Sequence, residues 1–415
     1  MSQTRDAQAL GRRPTLSRSI EEIRAEFPGL IAGRVMLDGA AGTLVPAAVI
    51  DAVSDALRFS MANVHGEFAA SQRSTATVAA ARAAIADLLG GTPAGVVLGP
   101  NMTTLTFHLA GALSAEWGPG DEIVVTSLDH DANIRPWVLA AERAGASVRW
   151  VEFDPESGEL PVERFDDVIN DRTRLVAVTA ASNAIGTKPD VPAISHRAHA
   201  AGALTYVDGV HATSHGPIDV GALGADFYVC STYKLFGPHT GALIADPALL
   251  ERLRPAKLVP AADTVPERFE RGTPPFELLA GVTAAVDWIA GLSNAAGQRR
   301  ERVVAALAAA EAHLGELLER ALHGLAGIRG VRVLGAARRR TSTISFVVQG
   351  HHPQEVARRL AARDIAVWDG DNYAYELMHR FGLRDSGGAI RASIVLYNDR
   401  ADVDRLLEAV AAVAG

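Results

Sequence analysis

The stretch that decides the fold is residues 204–245, which reads LTYVDGVHATSHGPIDVGALGADFYVCSTYKLFGPHTGALIA. It contains three short apolar runs, at 204–207, 227–230 and 241–245. Apolar runs of this length are typical of strands in a sheet with both faces covered. Asp208 comes directly after the first run, and Lys234 follows the second within a short loop. Both side chains are therefore expected at the carboxyl edge of the sheet, where open α/β sheets bind ligands.

The same pattern continues towards the N-terminus. Further strands are predicted at 96–98, 122–126, 147–153 and 175–180, and residues with helical spacing separate them at 104–117, 134–144 and 194–201. Strands that alternate with helices indicate an α/β domain with a mainly parallel sheet between two helical layers.

The rest of the chain predicts four further parts. Residues 1–18 are polar, with four arginines, and are expected to form a flexible tail rather than a secretory signal. Ser19 and Glu22 have the spacing of a capping box, so the first helix should begin there. Residues 19–274 are assigned to an N-terminal segment and the large domain, and 275–298 to a linking helix. Residues 299–415 are assigned to a small α+β domain with strands at 342–348, 365–368 and 390–397.

Composition excludes several classes of protein. The 40 basic residues are outnumbered by 48 acidic ones, and no long basic run occurs, so neither a nucleic acid nor an anionic membrane is an expected partner. Apolar runs stop short of the roughly 20 residues that span a bilayer. The single cysteine, Cys230, allows no intrachain disulfide and no CxxC metal site. We expect a protein of the reducing cytoplasm without a metal site.

Two more polar residues follow predicted strand ends, namely Asn183 and His130. Taken singly, each candidate has a plain structural interpretation. Lys234 resembles a solvated loop lysine, Asp208 a helix cap, Asn183 a turn residue and His130 a structural histidine. Because four strand ends of one sheet would bring them together, a shared site is the better hypothesis.

These motifs resemble the class V aminotransferase and cysteine desulfurase family of pyridoxal-phosphate enzymes of fold type I. The resemblance runs through nearly the whole chain, and its main motifs are Leu37-Asp38-Gly39-Ala40-Ala41, Val207-Asp208-Gly209, Tyr233-Lys234-Leu235-Phe236-Gly237-Pro238 and Arg391-Ala392-Ser393-Ile394-Val395-Leu396-Tyr397-Asn398. It implies a large three-layer α/β/α domain with a mainly parallel sheet, a small C-terminal α+β domain, and pyridoxal 5'-phosphate as cofactor.

The resemblance also implies a role for each candidate. Lys234 would form the aldimine with the cofactor and later move the proton at the substrate Cα, which suits an amine whose pKa falls on burial. Asp208 would pair with the pyridine nitrogen, and His130 would stack on the ring. Asn183 would bind the ring's phenolic oxygen with His211 beside it, although the family usually has glutamine at that position.

The phosphate group would lie at a helix start, where free backbone N–H groups favour an anion. The resemblance implies four contacts within the chain, although residues 99–104 replace the Gly-Thr-Thr of the family: Asn101, Met102, Ser231 and Tyr233. Thr273 matches a residue that the family contributes from the neighbouring subunit, which implies a homodimer.

For the substrate, the resemblance implies that Arg391 clamps the α-carboxylate, the alternative being a surface arginine on an edge strand. His65 lies on a segment that lines the pocket in the family. Tyr373 falls near the mobile cysteine that carries sulfur as a persulfide in the desulfurases. Cys230 instead ends a predicted core strand, as a small apolar residue would. The usual persulfide mechanism therefore lacks its nucleophile.

The resulting expectation is a pyridoxal-phosphate lyase or transferase that acts on an α-amino acid through a quinonoid. The favoured reaction is a C–S lyase or desulfurase-like β-elimination without a protein persulfide. A class V aminotransferase or epimerase shares the same early steps and remains an alternative. A catalytically inactive pyridoxal-phosphate scaffold or sensor is a second alternative, against which the complete set of cofactor residues argues.

Overall fold

The computed structural model describes residues 15–415 of the protein, so most of the predicted tail lies outside the described residues. The predicted capping box is confirmed. The Ser19 side chain accepts a hydrogen bond from the Glu22 N–H, and the Glu22 carboxylate accepts one from the Ser19 N–H. The first helix therefore begins where its cap predicts.

Strands and helices alternate along most of the chain. The strands are β1 (Val35–Met36), β2 (Val96–Gly99), β3 (Glu122–Thr126), β4 (Ser147–Val151), β5 (Thr173–Thr179), β6 (Leu204–Asp208), β7 (Phe227–Ser231), β8 (Gly241–Ala245), β9 (Val331–Val333), β10 (Thr343–Val348), β11 (Ile365–Ala366), β12 (Trp368–Gly370) and β13 (Ala389–Ser393). The helices are α1 (Ile20–Ala25), α2 (Ala47–Phe59), α3 (Ala69–Leu89), α4 (Met102–Leu113), α5 (Arg135–Ala144), α6 (Val191–Ala200), α7 (Val220–Leu223), α8 (Pro247–Arg252), α9 (Phe276–Ala290), α10 (Arg299–Ala326), α11 (Pro353–Ala361), α12 (Tyr375–Arg380) and α13 (Arg400–Ala414).

The large sheet has seven strands in the order β2-β8-β7-β6-β5-β3-β4. Only β8 runs antiparallel to its neighbours; β7, β6, β5, β3 and β4 pair in parallel. Successive residues of β3 enter different apolar cores, with Val124 on one face and Ile123 and Val125 on the other. Both faces are thus covered, and the predicted three-layer fold with a mainly parallel sheet is confirmed.

A second, antiparallel sheet forms the core of the C-terminal part in the order β12-β13-β10-β9, packed with α10, α11 and α13. The prediction of one continuous strand at 365–368 is wrong. The chain changes partner, since β11 pairs with β1 and β12 pairs with β13. The strand predicted at 390–397 ends at Ser393, and the Val395 N–H then donates to the Asn398 side chain in a turn.

The division of the chain near residues 274 and 298 stays a prediction. In the part of the chain that the structure describes, no helix is both long enough and apolar enough to cross a membrane.

Candidate active site

The ends of β5, β6 and β7 open onto a cavity with about 370 Å³ of space between protein atoms. The four residues predicted from strand ends all line it, so the structure brings them together. The lining consists of Met102, Thr103, His130, Thr179, Ala181, Asn183, Asp208, Val210, His211, Tyr233 and Lys234.

Lys234 ends the single turn of 3₁₀ helix that follows β7, and its side chain is buried. A solvated loop lysine, the plain alternative, is therefore wrong. Burial lowers the pKa of Lys234, the nearby Arg391 lowers it further, and Asp208 acts in the opposite direction. The side chain lines the cavity, and Nζ lies 5.7 Å from the centroid of the Tyr233 ring. The amine is available to a ligand there.

Asp208 is the last residue of β6 and is also buried. Burial raises its pKa, the main opposing effects being the Val210 N–H, which donates to Oδ1 at 2.9 Å, and the charge of Lys234. Gly209 must follow it, because a Cβ there would lie 1.8 Å from the Tyr228 ring. The backbone can thus turn at the strand end while the carboxyl group stays in the cavity wall.

His130 lies on the loop after β3, and its Nδ1 accepts the Ala132 N–H at 3.0 Å. Burial, together with the charges of Lys234 and Arg391, lowers the pKa of His130 to about 3. The ring is therefore neutral and carries its proton on Nε2. The ring of Tyr373 stacks against it, with centroids 5.4 Å apart and 17° between the planes.

His211 is held by hydroxyl groups of the C-terminal sheet and the residues before it. Its Nε2 lies 3.0 Å from the Thr341 Oγ1 and 2.9 Å from the Thr343 Oγ1, and the Thr343 Oγ1 lies 2.6 Å from the Ser393 Oγ. Burial lowers its pKa well below the usual range. The histidine is thus neutral and fixed at the cavity wall.

The start of α4 forms a further part of the cavity wall. Asn101 caps this helix by accepting the Thr104 N–H at 2.9 Å, and the Met102 N–H donates to the Ser231 Oγ at 3.1 Å. Gly241 lets this loop approach β8, because a Cβ there would lie 2.5 Å from the Asn101 carbonyl carbon. A helix N-terminus with adjacent hydroxyl groups is suited to a phosphate.

These residues fit the pyridoxal phosphate that the resemblance implies. A buried amine, a buried carboxyl group and a helix N-terminus surround one cavity. The buried Asn183 Oδ1 has no hydrogen-bond partner among the described residues. Unpaired buried polar atoms are rare in folded proteins and commonly mark a ligand site.

Arg391 lies on β13 and is 4% exposed. Its Nη1 donates to the Asn183 carbonyl oxygen at 3.2 Å, while Nε has no partner among the described residues. Burial lowers the pKa of Arg391 to about 10, so the guanidinium stays charged at neutral pH. Since β13 lies between β12 and β10, the alternative of a surface arginine on an edge strand is wrong.

A wider cavity opens above Lys234 and Arg391, with about 1390 Å³ of space including its mouth. Tyr373 lines it, as does the loop that carries this residue. Phe107 and Trp368 also line it, and neither is a site residue predicted from the sequence. Phe107 lies on the exposed face of α4 with Thr103 and Gly111, and the position of Trp368 depends on a change of strand partner. Phe107 lies in the middle of α4 and Trp368 ends the strand predicted at 365–368, so their only sequence signal is that both are large aromatic residues.

His65 and Thr273 do not line either cavity around Lys234. Both are exposed and line another one, with about 1820 Å³ of space, on a different part of the surface. The single chain therefore leaves these two predicted residues apart from the rest of the site.

Comparison with known proteins adds four findings. The family model described as aminotransferase class-V matches residues 35–406. An uncharacterized protein of Mycobacterium tuberculosis (strain CDC 1551 / Oshkosh) is 36% identical over 95% of this chain and 99% of its own length. The crystal structure of the cysteine desulfurase CsdA from Escherichia coli is similar with a TM-score of 0.84 and 31% identity, covering 95% of this chain and 98% of that one. The apo structure of a cysteine desulfurase from Thermococcus onnurineus NA1 gives a TM-score of 0.87 and 26% identity, covering 96% and 99%.

Proposed function

The chain belongs to the aminotransferase class V family of pyridoxal-phosphate enzymes, and on this basis we propose that it is a C–S lyase for cysteine-type amino acids. The reaction consumes one water and converts an S-substituted cysteine into pyruvate, ammonium and the free thiol. No protein persulfide takes part. The proposed substrates are small-molecule α-amino acids that carry sulfur at Cβ.

The position of the only cysteine supports this proposal. Cys230 is 1% exposed within β7, and burial raises the pKa of its thiol to about 12. A nucleophilic cysteine needs a thiolate that reaches its substrate. On the loop that faces the wider cavity, residues 370–374 include no cysteine, and the exposed Tyr373 borders the cavity. Sulfur is therefore expected to leave with its own substituent.

Pyridoxal phosphate, when bound, withdraws electrons from the bonds at the Cα of the amino acid. Asp208 would pair with its ring nitrogen, and Asn183 with His211 would bind the phenolic oxygen. Asn101, Met102, Ser231 and Tyr233 would hold the phosphate.

The remaining roles concern the substrate. Arg391 would bind the α-carboxylate through its unpartnered Nε side. The Lys234 amine would accept the Cα proton, since it faces the same cavity and its pKa is lowered. The elimination removes this proton from Cα and the sulfur substituent from Cβ, and the substituent leaves as the thiol.

Product analysis tests the proposal. Purified holoenzyme is mixed with L-cysteine, L-cystine and S-methyl-L-cysteine, and pyruvate, alanine, sulfide and thiol are quantified. We expect pyruvate in equal amounts to the thiol or persulfide released, and none with Lys234→Ala. The variant Cys230→Ala serves as the matched control and is expected to keep full activity.

Two outcomes would contradict the proposal. Alanine together with a persulfide on Cys230 would identify a desulfurase. Absence of pyruvate, with an amino donor converting the bound cofactor to its amine form, would identify an aminotransferase.

We also propose a homodimer in which Thr273 reaches the neighbouring active site. Support comes from the cavity that Thr273 shares with His65, and from Leu258 in its wall and the adjacent Val259, which are strongly exposed apolar residues. Exposed apolar residues around a cavity are typical of an interface. His65 would reach the partner's site by the same route.

For the compartment, we propose the cytoplasm. The one cysteine is buried and free, which is compatible with a reducing environment. Fractionation of cells with an antibody against the protein tests this assignment.

A further inference from the structure

Three exposed aromatic side chains line the mouth of the wider cavity. Phe107, Trp368 and Tyr373 are 48%, 50% and 72% exposed, and all three border the cavity that contains Lys234 and Arg391. We call these residues the aromatic mouth. Exposed large apolar groups that cluster at a concave site commonly mark a binding surface.

Trp368 lies beside the group that would hold the substrate. In the antiparallel pair of β12 and β13, Trp368 is directly opposite Arg391. Opposite residues of such a pair place their side chains on the same face, with Cβ atoms about 5 Å apart. An amino acid anchored on the guanidinium therefore comes within reach of the indole.

Tyr373 is fixed in the mouth by its backbone and its ring. Its carbonyl oxygen accepts the Asp131 N–H at 2.8 Å, and the preceding Asn372 carbonyl accepts the Asn183 Nδ2 at 2.9 Å. Tyr373 and Asn372 both have positive φ, at 56° and 54°. A bulky residue rarely adopts this conformation, and it commonly persists at functional sites. The ring is thus positioned, through its stacking on His130, as a wall of the cavity.

The charges around the mouth do not favour an anionic side chain. Arg135 lines the cavity as a third cationic side chain beside Lys234 and Arg391, and it is already paired with Asp131 at 3.0 Å and with Glu376 at 3.4 Å. Asp371 adds a further negative charge on the loop. An uncharged group meets no unfavourable partner there.

Cysteine itself ends in one sulfur atom and leaves most of this surface uncovered. We propose that the aromatic mouth binds an uncharged aromatic group carried on the sulfur of a cysteine S-conjugate, with Trp368 as the main specificity determinant. The inference rests on the proposed C–S lyase reaction, whose leaving thiol would occupy the mouth. Planar groups stack on such side chains.

Binding of uncleavable analogues tests the mouth separately from the chemistry. One analogue is S-benzyl-L-cysteine with a methylene in place of sulfur, and the other is L-norvaline, the corresponding analogue of S-methyl-L-cysteine. We expect holoenzyme to bind the aromatic analogue at least about tenfold more tightly by titration calorimetry. Trp368→Ala should remove most of this preference and change norvaline affinity by less than about twofold.

Two further variants serve as controls. Trp368→Phe keeps an aromatic ring and should retain part of the preference. Trp150 is a partly exposed tryptophan on β4 that does not line the cavity, so Trp150→Ala should leave both affinities unchanged.

Equal affinity for the two analogues in the native enzyme would overturn the inference. So would an equal loss for both analogues in Trp368→Ala, because the indole would then act only by supporting Arg391. Pyruvate is measured separately with S-benzyl-L-cysteine itself. A preference for the aromatic analogue without formation of pyruvate supports the proposed role of the aromatic mouth and contradicts the lyase reaction. Formation of pyruvate without this preference contradicts the role of the aromatic mouth alone.

Discussion

At the scale of single residues, the proton affinity of Lys234 depends on opposing neighbours. Burial and the Arg391 charge favour the neutral amine, and the Asp208 carboxylate favours the ammonium. The neutral form is the one that attacks a carbonyl carbon. A lowered pKa would therefore make Lys234 competent in its proposed role of binding the cofactor near neutral pH.

We predict that the apoprotein takes up pyridoxal phosphate at a rate that rises with pH, with a midpoint near the pKa of about 8. Asp208→Asn should move the midpoint lower, because the charge that favours the ammonium is removed. Stopped-flow absorbance of the bound cofactor measures both rates. A wild-type midpoint near the value of about 10.4 for free lysine, or an upward shift in Asp208→Asn, would contradict the prediction.

At the scale of elements, the cofactor end of the site depends on how closely β8 approaches the start of α4. Gly241 pairs with Gly99 on one side and Ser231 on the other, and it faces the Asn101 backbone. The first turn of α4 and the hydroxyl of Ser231 are thereby held on one side of the cavity. Any side chain at residue 241 must displace this turn.

We predict that Gly241→Ala weakens cofactor affinity at least about tenfold, since a Cβ would lie 2.5 Å from the Asn101 carbonyl carbon. Gly111→Ala, on α4 itself, is the matched control. No atom lies within 4 Å of a Cβ at that position, so this variant should gain roughly 0.5–1 kcal/mol of unfolding free energy and bind normally. Titration of each apoprotein with the cofactor measures its affinity, and unfolding in urea measures its free energy of unfolding. Unchanged affinity in Gly241→Ala would show that the approach is unimportant.

The elements also explain why some site residues could be predicted from the sequence and others could not. Asp208 ends one apolar strand and Lys234 follows another by one short turn, and their convergence needs only a parallel sheet, so the local sequence pattern is sufficient to predict it. Trp368 is different, because its position opposite Arg391 depends on the chain leaving β1 after Ala366 and joining β13. That change results from tertiary packing, and alternation along residues 365–370 does not encode it. Similarly, nothing local shows that two threonines far along the chain hold His211.

At the scale of the whole molecule, the site lies where the two sheets meet. Arg391, on the small sheet, donates a hydrogen bond to the carbonyl oxygen of Asn183, which follows β5 of the large sheet. Thr343, also on the small sheet, forms a hydrogen bond with His211, which follows β6. The proposed binding of the substrate carboxylate at Arg391 would therefore act on both parts of the molecule. Thr273 is left outside this junction, on a separate cavity with His65. If the site is completed by a second chain, two defective chains should complement each other.

Mixing Thr273→Ala with Lys234→Ala tests this arrangement. Each variant alone should be weak or inactive, the first through poor cofactor binding and the second through loss of the amine. In a mixed dimer, the intact Lys234 of one chain would meet the intact Thr273 of the other, while the second site would carry both defects. Random pairing makes about half of the dimers mixed, so about a quarter of all sites should recover. Co-expression with two affinity tags isolates the mixed dimers, in which recovery should reach about half of the sites. If Thr273 served its own chain, the mixture would show only the sum of the two separate activities, because no combination would then unite an intact threonine with an intact lysine.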